Sequence, residues 1–398
     1  MDVKGYTYNE FIKEYIESNF YKDNIINNIE NTDHIENIKK DISYSIICIH
    51  NVTNKSEIYM IDSIINSIVN DIMINHNKVN KLKNIVDELL KLELPEQRSK
   101  EWFELRKGLL TASSLASALG HCFFKSRDEL ILDKSDPVEK PYESNDITEW
   151  GVKYEEIATK FYELINNVKI LEFGLVPHPN FKIFGASPDG ICSNDSSDEY
   201  IGRMLEIKCP PKRKFTKTVP GHYGFQMQGQ LECCNLEECD FLQVKLLEYD
   251  TIEEYNNDNF IYENTIKEGY TANNLPKGCT LTYQKKDSIS YSYLYPELEL
   301  SYNNYIKWIN EKKQWILNNN FTFIECKWWK IERYECTLVK RDRTWWLKTM
   351  EEIHKFWEEV DYYKNNDNTD LINRINNSKK RKFKKGPDDI ITTDKCLL

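Results

Sequence analysis

Residues 205–211 read LEIKCPP, which sets a glutamate and a lysine two positions apart inside a short apolar run. In an extended strand, residues i and i+2 share a face. Glu206 and Lys208 therefore project together, with Leu205 and Ile207 on the opposite side. Buried charge is costly unless it pairs or binds something, so the run is either a strand-edge ion pair or part of a chemical site. Upstream, FGASPDGIC (184–192) carries a Pro-Asp-Gly turn. A strand, this turn, the polar loop SNDSSDEYIG and a second strand would bring Asp189 beside Glu206. Two carboxylates converging with a lysine on one face suit an oxygen-rich site for Mg²⁺ or Mn²⁺. Read alone, an Asp in such a turn is usually just a turn residue.

Three further stretches could contribute. EWGVKYEEIATKFYELI (149–165) has an apolar helical stripe at Tyr154, Ile157, Ala158, Phe161 and Ile165. Glu155 lies at its edge, either as a boundary glutamate or carried inward to the same metal. In EWFELRKGLLTASSLASALG (101–120), Thr111 or Ser113 could cap a helix that Gly120 ends. Hydroxyls at a helix start beside Arg106 make a candidate phosphate site. In HYGFQMQGQLECC (222–234), Tyr223, Gln226 and Gln230 share one helical face. Those glutamines either face water or hydrogen-bond a catalytic lysine or a DNA backbone.

The order of these motifs is more specific than any one of them. Arg-x-Gly-x-x-Thr-x-Ser, Trp-Gly-x-x-x-Glu, Ser-Pro-Asp-Gly, Leu-Glu-Ile-Lys-Cys-Pro and Tyr-x-x-Gln-x-Gln follow one another between residues 97 and 246. This succession resembles the lambda-exonuclease-like, or YqaJ-type viral recombinase, family of the PD-(D/E)xK nucleases. The resemblance implies an α+β or α/β, restriction-endonuclease-like core: a mixed central sheet flanked by helices. It implies hydrolysis of duplex DNA from 5′ ends, leaving 5′-mononucleotides and a 3′ single strand. Asp189, Glu206, Glu155 and the Ile207 carbonyl would then hold two Mg²⁺ ions, with Mn²⁺ as a substitute. Lys208 would orient or deprotonate the attacking water, and Gln226 matches the glutamine that follows. Arg106, Thr111, Ser113 and Ser187 would receive a 5′-phosphate. The resemblance also suggests a single-strand annealing partner and a ring-shaped trimer, which the added terminal regions put in question. A structure-selective endonuclease, or an inactive DNA-binding assembly protein on the same fold, are the competing readings.

The elements that would position these residues occupy the middle of a 398-residue chain. Residues 1–94 read as a helical module, 95–250 as the nuclease core and 251–365 as a region completing or extending it. Within the last, 251–300 looks like a loop-rich, acidic insertion. Residues 366–398 look like a disordered basic tail containing KKRKFKK (379–385). The net charge of −11 argues against a histone-like wrapper but not against a nuclease, which concentrates cations in one groove. Arg203 to Lys217 holds six basic residues against one acidic, so Lys212, Arg213 and Lys214 are candidates to follow a DNA backbone. The eleven cysteines include no C-x-x-C pair and read as reduced thiols. No apolar run has the length of a membrane span and the first residues lack a signal pattern. A soluble intracellular protein is expected, in the host cytoplasm, or in the nucleus if the basic tail is an import signal. The Asn-, Ile- and Lys-rich composition would suit a large DNA virus.

Overall fold

The computed structural model describes residues 7–95, 99–136, 145–212, 215, 218–286, 288 and 290–384. The chain divides into two compact units, Met1–Asp87 and Glu88–Leu398.

The first unit is helical. It contains α1 (Tyr8–Ser18), α2 (Tyr21–Asn27), α3 (Thr32–His50) and most of α4 (Lys55–Leu90), which continues into the first residues of the second unit. Isoleucines at three- and four-residue spacing build its core: Ile12 and Ile16 on α1, Ile35, Ile38, Ile42 and Ile46 on α3, Ile61 and Ile65 on α4. Helix starts are set by side chains, with Thr7 and Glu10 forming a capping box on α1 and Asn31 capping α3. The Tyr8 hydroxyl donates to Glu57 at 2.6 Å and ties α1 to α4.

The second unit opens with α5 (Lys100–Gly108), β1 (Leu110–Thr111), α6 (Ala112–Ala118), α7 (Arg127–Ser135) and α8 (Asp146–Asn166). Short strands follow: β2 (Ile170–Leu171), β3 (Val176–Pro177), β4 (Phe184–Ala186), β5 (Gly190–Cys192) and β6 (Met204–Lys208). Then come α9 (Gly221–Cys234), β7 (Glu238–Glu248), α10 (Ile252–Asn257), β8 (Phe260–Tyr262), β9 (Thr265–Lys267), β10 (Lys277–Gln284) and β11 (Tyr291–Leu294). The chain closes with α11 (Tyr302–Asn318), β12 (Thr322–Lys340), α12 (Arg343–Asn365) and α13 (Thr369–Lys384).

Seven strands form the central sheet in the order β11-β10-β12-β7-β6-β5-β2. Among the described residues of this sheet, only β6 and β7 pair in parallel, and α9 supplies the crossover that parallel neighbours need. The sheet is therefore mixed and flanked by helices, as the motifs implied. The side chains of α8 and one face of the sheet share a core in which Tyr154, Ile157 and Phe161 meet Leu205, Ile207, Leu242 and Val244. A small second sheet, β1-β4-β3, lies next to α9 and α6 in the fold.

Two sequence expectations change. Residues 251–300 are not simply a loop-rich insertion: β10 pairs along β12 and is buried over seven of its eight residues. Nor is the polypeptide disordered from residue 366, because α13 runs to Lys384, burying Leu371 and Ile375 on one face and pairing Arg374 with Asp128 of α7. The basic residues beyond Lys379 lie outside the side chains described.

Candidate active site

The strand β6 presents its two faces as the alternation requires. Leu205 and Ile207 enter the α8 core, while Glu206 turns toward α9 and is fully buried. Its carboxylate is held from three sides. Gln226 Nε2 donates to Oε1 at 2.7 Å and Gln230 Nε2 donates to Oε2 at 2.7 Å. Lys208 Nζ also donates to Oε1. The same ammonium donates to the Ile207 carbonyl at 3.0 Å and stands 4.0 Å from Asp189 Oδ2. Asp189 leads into β5 beside β6, and its Oδ2 accepts the Ile207 backbone N–H at 2.7 Å.

Three oxygens from Asp189, Glu206 and Ile207 thus gather around one positive centre, the Lys208 ammonium. Burial acts to lower the Lys208 pKa, but the Glu206 and Asp189 carboxylates overcome it and hold the amine well above its ordinary value. Burial, then the Glu206 carboxylate, push Asp189 up, against the pull of Lys208 and the Ile207 N–H. Glu155 on α8 lies within electrostatic reach. It adds to the rise of Asp189 and, after burial, to that of the Cys209 thiol. Among the described residues, however, no three acidic, histidine or cysteine side chains gather closely enough to hold a metal. One ammonium balances Asp189 and Glu206, and a third carboxylate moved against them meets their repulsion.

The glutamines of α9 turn inward. Gln226 donates to the Glu206 oxygen that Lys208 also binds. Gln230 serves the same carboxylate and donates to the Ser187 carbonyl at 3.2 Å. Gln230 Oε1 and Ser187 Oγ are buried without a hydrogen-bond partner. Gly229 lets α9 come this close: a Cβ there would stand 2.8 Å from Phe184 Cζ and 3.2 Å from Ala112 Cβ.

A second polar cluster sits where α5 turns into α6. Arg106 Nη2 donates to Ser113 Oγ at 2.9 Å, and the Thr111 and Ser113 hydroxyls are 3.2 Å apart. The Arg106 guanidinium lies 4.8 Å from the Trp102 ring centroid. Lys134 of α7 donates to the Arg106 and Leu109 carbonyls at 2.8 and 2.7 Å, which satisfies the end of α5. Burial, then the neighbouring Arg106, lower its amine to about 8. Thr111 faces Gly185 in the β1–β4 register, two residues before Ser187. The Ser187 carbonyl accepts from Gln230 of α9. Thr111 begins α6 without a side-chain cap bond. Lys212 is exposed, while Arg213 and Lys214 lie outside the described residues.

All of these candidates fall in one matched segment. Residues 101–237 match the YqaJ-like viral recombinase domain. Over 306 residues the chain is 31% identical to an uncharacterized protein of Acanthamoeba polyphaga mimivirus, covering 70% of this chain and 55% of that protein. It is 27% identical over 165 residues to a protein of African swine fever virus, covering 34% of this chain and 46% of the other. The chain thus spans about half the length of the curated relatives it matches. Among solved structures, it aligns with an alkaline exonuclease from Laribacter hongkongensis at TM-score 0.38 and 19% identity, over 71% of this chain and 100% of that one. A phage-related exonuclease from Haemophilus somnus aligns at TM-score 0.34 and 12% identity, over 67% and 96%.

Within the matched segment, Gln230 is the site residue least evident from the sequence. Its signal was the four-residue spacing from Gln226, which puts both amides on one helical face. The spacing does not reveal what that face meets, because the partner arrives from β6. Among the described residues, no helix is long and apolar enough to cross a membrane.

Proposed function

We propose that the chain is a divalent-metal-dependent deoxyribonuclease that degrades duplex DNA from 5′ ends and leaves 3′ single strands for recombination. The observation that carries this reading is the convergence of Asp189, Glu206 and the Ile207 carbonyl on one cationic centre, backed by two glutamines. Hard cations such as Mg²⁺ take oxygen ligands. The donor set fits that chemistry, since the Asp189, Glu206 and Ile207 atoms nearest the Lys208 ammonium are oxygens that already stabilise positive charge.

Asp189, Glu206 and the Ile207 carbonyl would hold the metal, with Glu155 approaching once added positive charge relieves the repulsion. Bound divalent cations would supply activation of water and stabilisation of the leaving oxygen. The remaining work falls to the protein. Gln226 and Gln230 fix the Glu206 carboxylate so that its remaining lone pairs point toward Lys208. As an ammonium, Lys208 can hold a phosphate or water oxygen by a charge-assisted hydrogen bond. Arg106, with Ser113 and Thr111, provides donors for a terminal phosphate, which would give the enzyme its polarity.

The test compares linear 5′-phosphorylated duplex with closed circular DNA, each with Mg²⁺ and with EDTA. Progressive release of mononucleotides from the linear form alone, only with Mg²⁺, is the expected result. Nicked circles would replace the exonuclease reading with an endonuclease, and inertness toward all DNA would leave a binding or assembly protein. A single-strand annealing protein is the partner this reading suggests.

A further inference from the structure

We propose that the loop carrying Phe123 and Phe124, together with the start of α9, forms a stacking face for unpaired nucleobases of the strand entering the Lys208 site. The inference rests on the nuclease reading above and adds to it how the substrate strand is held.

Phe124 is 78% exposed and Phe123 is 53% exposed, with their rings 5.7 Å apart. Large rings held in water cost free energy unless something covers them. These rings are not on a slack segment. The loop enters α7 through a capping box made by Ser126 and Glu129, Lys125 pairs with Asp133, and Arg127 binds both the Ala118 carbonyl and Glu359. The rings are therefore presented on a braced support.

From Phe124 a series of rings leads to the chemistry. Phe124 meets His222 at 5.8 Å, and His222 meets Tyr223 at 4.0 Å. Tyr223 is backed by the buried Phe241 at 5.4 Å, and Lys208 Nζ lies 5.2 Å from its ring centroid. The exposed end of the series is apolar, and its inner end is the ammonium that faces Asp189 and Glu206. A strand whose phosphate reaches Lys208 would carry its neighbouring bases along those rings. Aromatic faces accept any base, which suits an enzyme that must digest every sequence.

The experiment uses the full chain in EDTA, with duplexes whose 5′-ended strand carries 5-iodouracil at successive end-proximal positions beside a short unpaired stretch. Irradiation should join the base to the peptide containing Phe123 and Phe124. Phe124→Ala should abolish that product and weaken binding to unpaired ends about fivefold or more, with Phe124→Trp restoring it. Because Phe124 is a surface ring, both variants should melt like the wild type. Unchanged affinity and crosslinking elsewhere in Phe124→Ala, with the wild type still digesting linear DNA, would overturn the stacking face alone and leave the rings to a protein partner. Absence of both DNA binding and digestion in the wild type would overturn the nuclease reading, and this inference with it.

Discussion

Gln230 is wholly buried and spends its amide on the Glu206 carboxylate and the Ser187 carbonyl. Gln230→Ala would leave one oxygen of a buried carboxylate short of a donor, a loss of about 1.5–3 kcal/mol for a hydrogen bond to a charged group. A lower urea midpoint at unchanged slope should show it, and an unshifted midpoint would mean that Gln226 and Lys208 suffice. Lys208→Ala acts on chemistry more than on folding, because Lys208 lies at the open edge of the cluster with its side chain one-quarter exposed. Its digestion rate should fall by about 10²–10⁴-fold, the usual contribution of a positioned proton donor or acceptor, while its thermal melt stays cooperative. Arg106→Ala should slow digestion of phosphorylated ends more than unphosphorylated ones, and an unchanged ratio would count against a terminal-phosphate pocket. At this scale the sequence was informative where backbone geometry alone decides. The two-residue period put Glu206 with Lys208, and a turn brought Asp189 alongside. It was silent where a partner arrives from another element, as with Gln230 and Glu206.

Strand and helix placement depends on contacts that no short window of sequence contains. Gly190 is an example: a Cβ there would stand 2.2 Å from Ile170 Cγ2, so the β5–β2 pairing needs a glycine just after Asp189. Gly190→Ala should cost about 1–3 kcal/mol by overpacking. Adding Ile170→Ala should return part of that loss, which a double-mutant cycle in denaturant can measure. Arg341, at the end of β12, grips Glu232 of α9 through Nε at 2.7 Å and again through Nη2, with both side chains almost wholly buried. Arg341→Ala should therefore destabilise the second unit by about 3–5 kcal/mol, since it strands a buried carboxylate. The α8 stripe and the β6 alternation were readable because each buries one face against a core. β10 was not, because both its faces are covered and its residues show no alternation that would separate a strand from an insertion. α13 was hidden for a different reason. Among its described side chains only Leu371 and Ile375 are buried apolar anchors, too few to show a helical stripe, and its other contacts with α7 include the partly exposed pairs Arg374 with Asp128 and Lys379 with Glu129.

Among the described residues, hydrophobic burial falls into two units: isoleucine-rich helices build the core of one, while the other holds a core between α8 and the sheet and a further cluster where α11 meets β10. Every proposed catalytic group belongs to the second. The residues leading into that unit are themselves part of its packing: a Cβ at Gly174 would come 2.4 Å from the Pro95 carbonyl and 3.0 Å from Leu94 Cβ. A shortened chain should therefore keep Leu94 and Pro95, and one spanning residues 91–398 retains the sheet, both clusters and the α12–α13 helices. It should unfold in one cooperative transition and still digest linear DNA with Mg²⁺. The full chain, with a second core, should show an additional transition that calorimetry can separate, since independent cores need not melt together. If the shortened chain folds but fails to cut, the helical unit contributes to substrate capture. If it does not fold, the division of the polypeptide into two self-sufficient units is wrong.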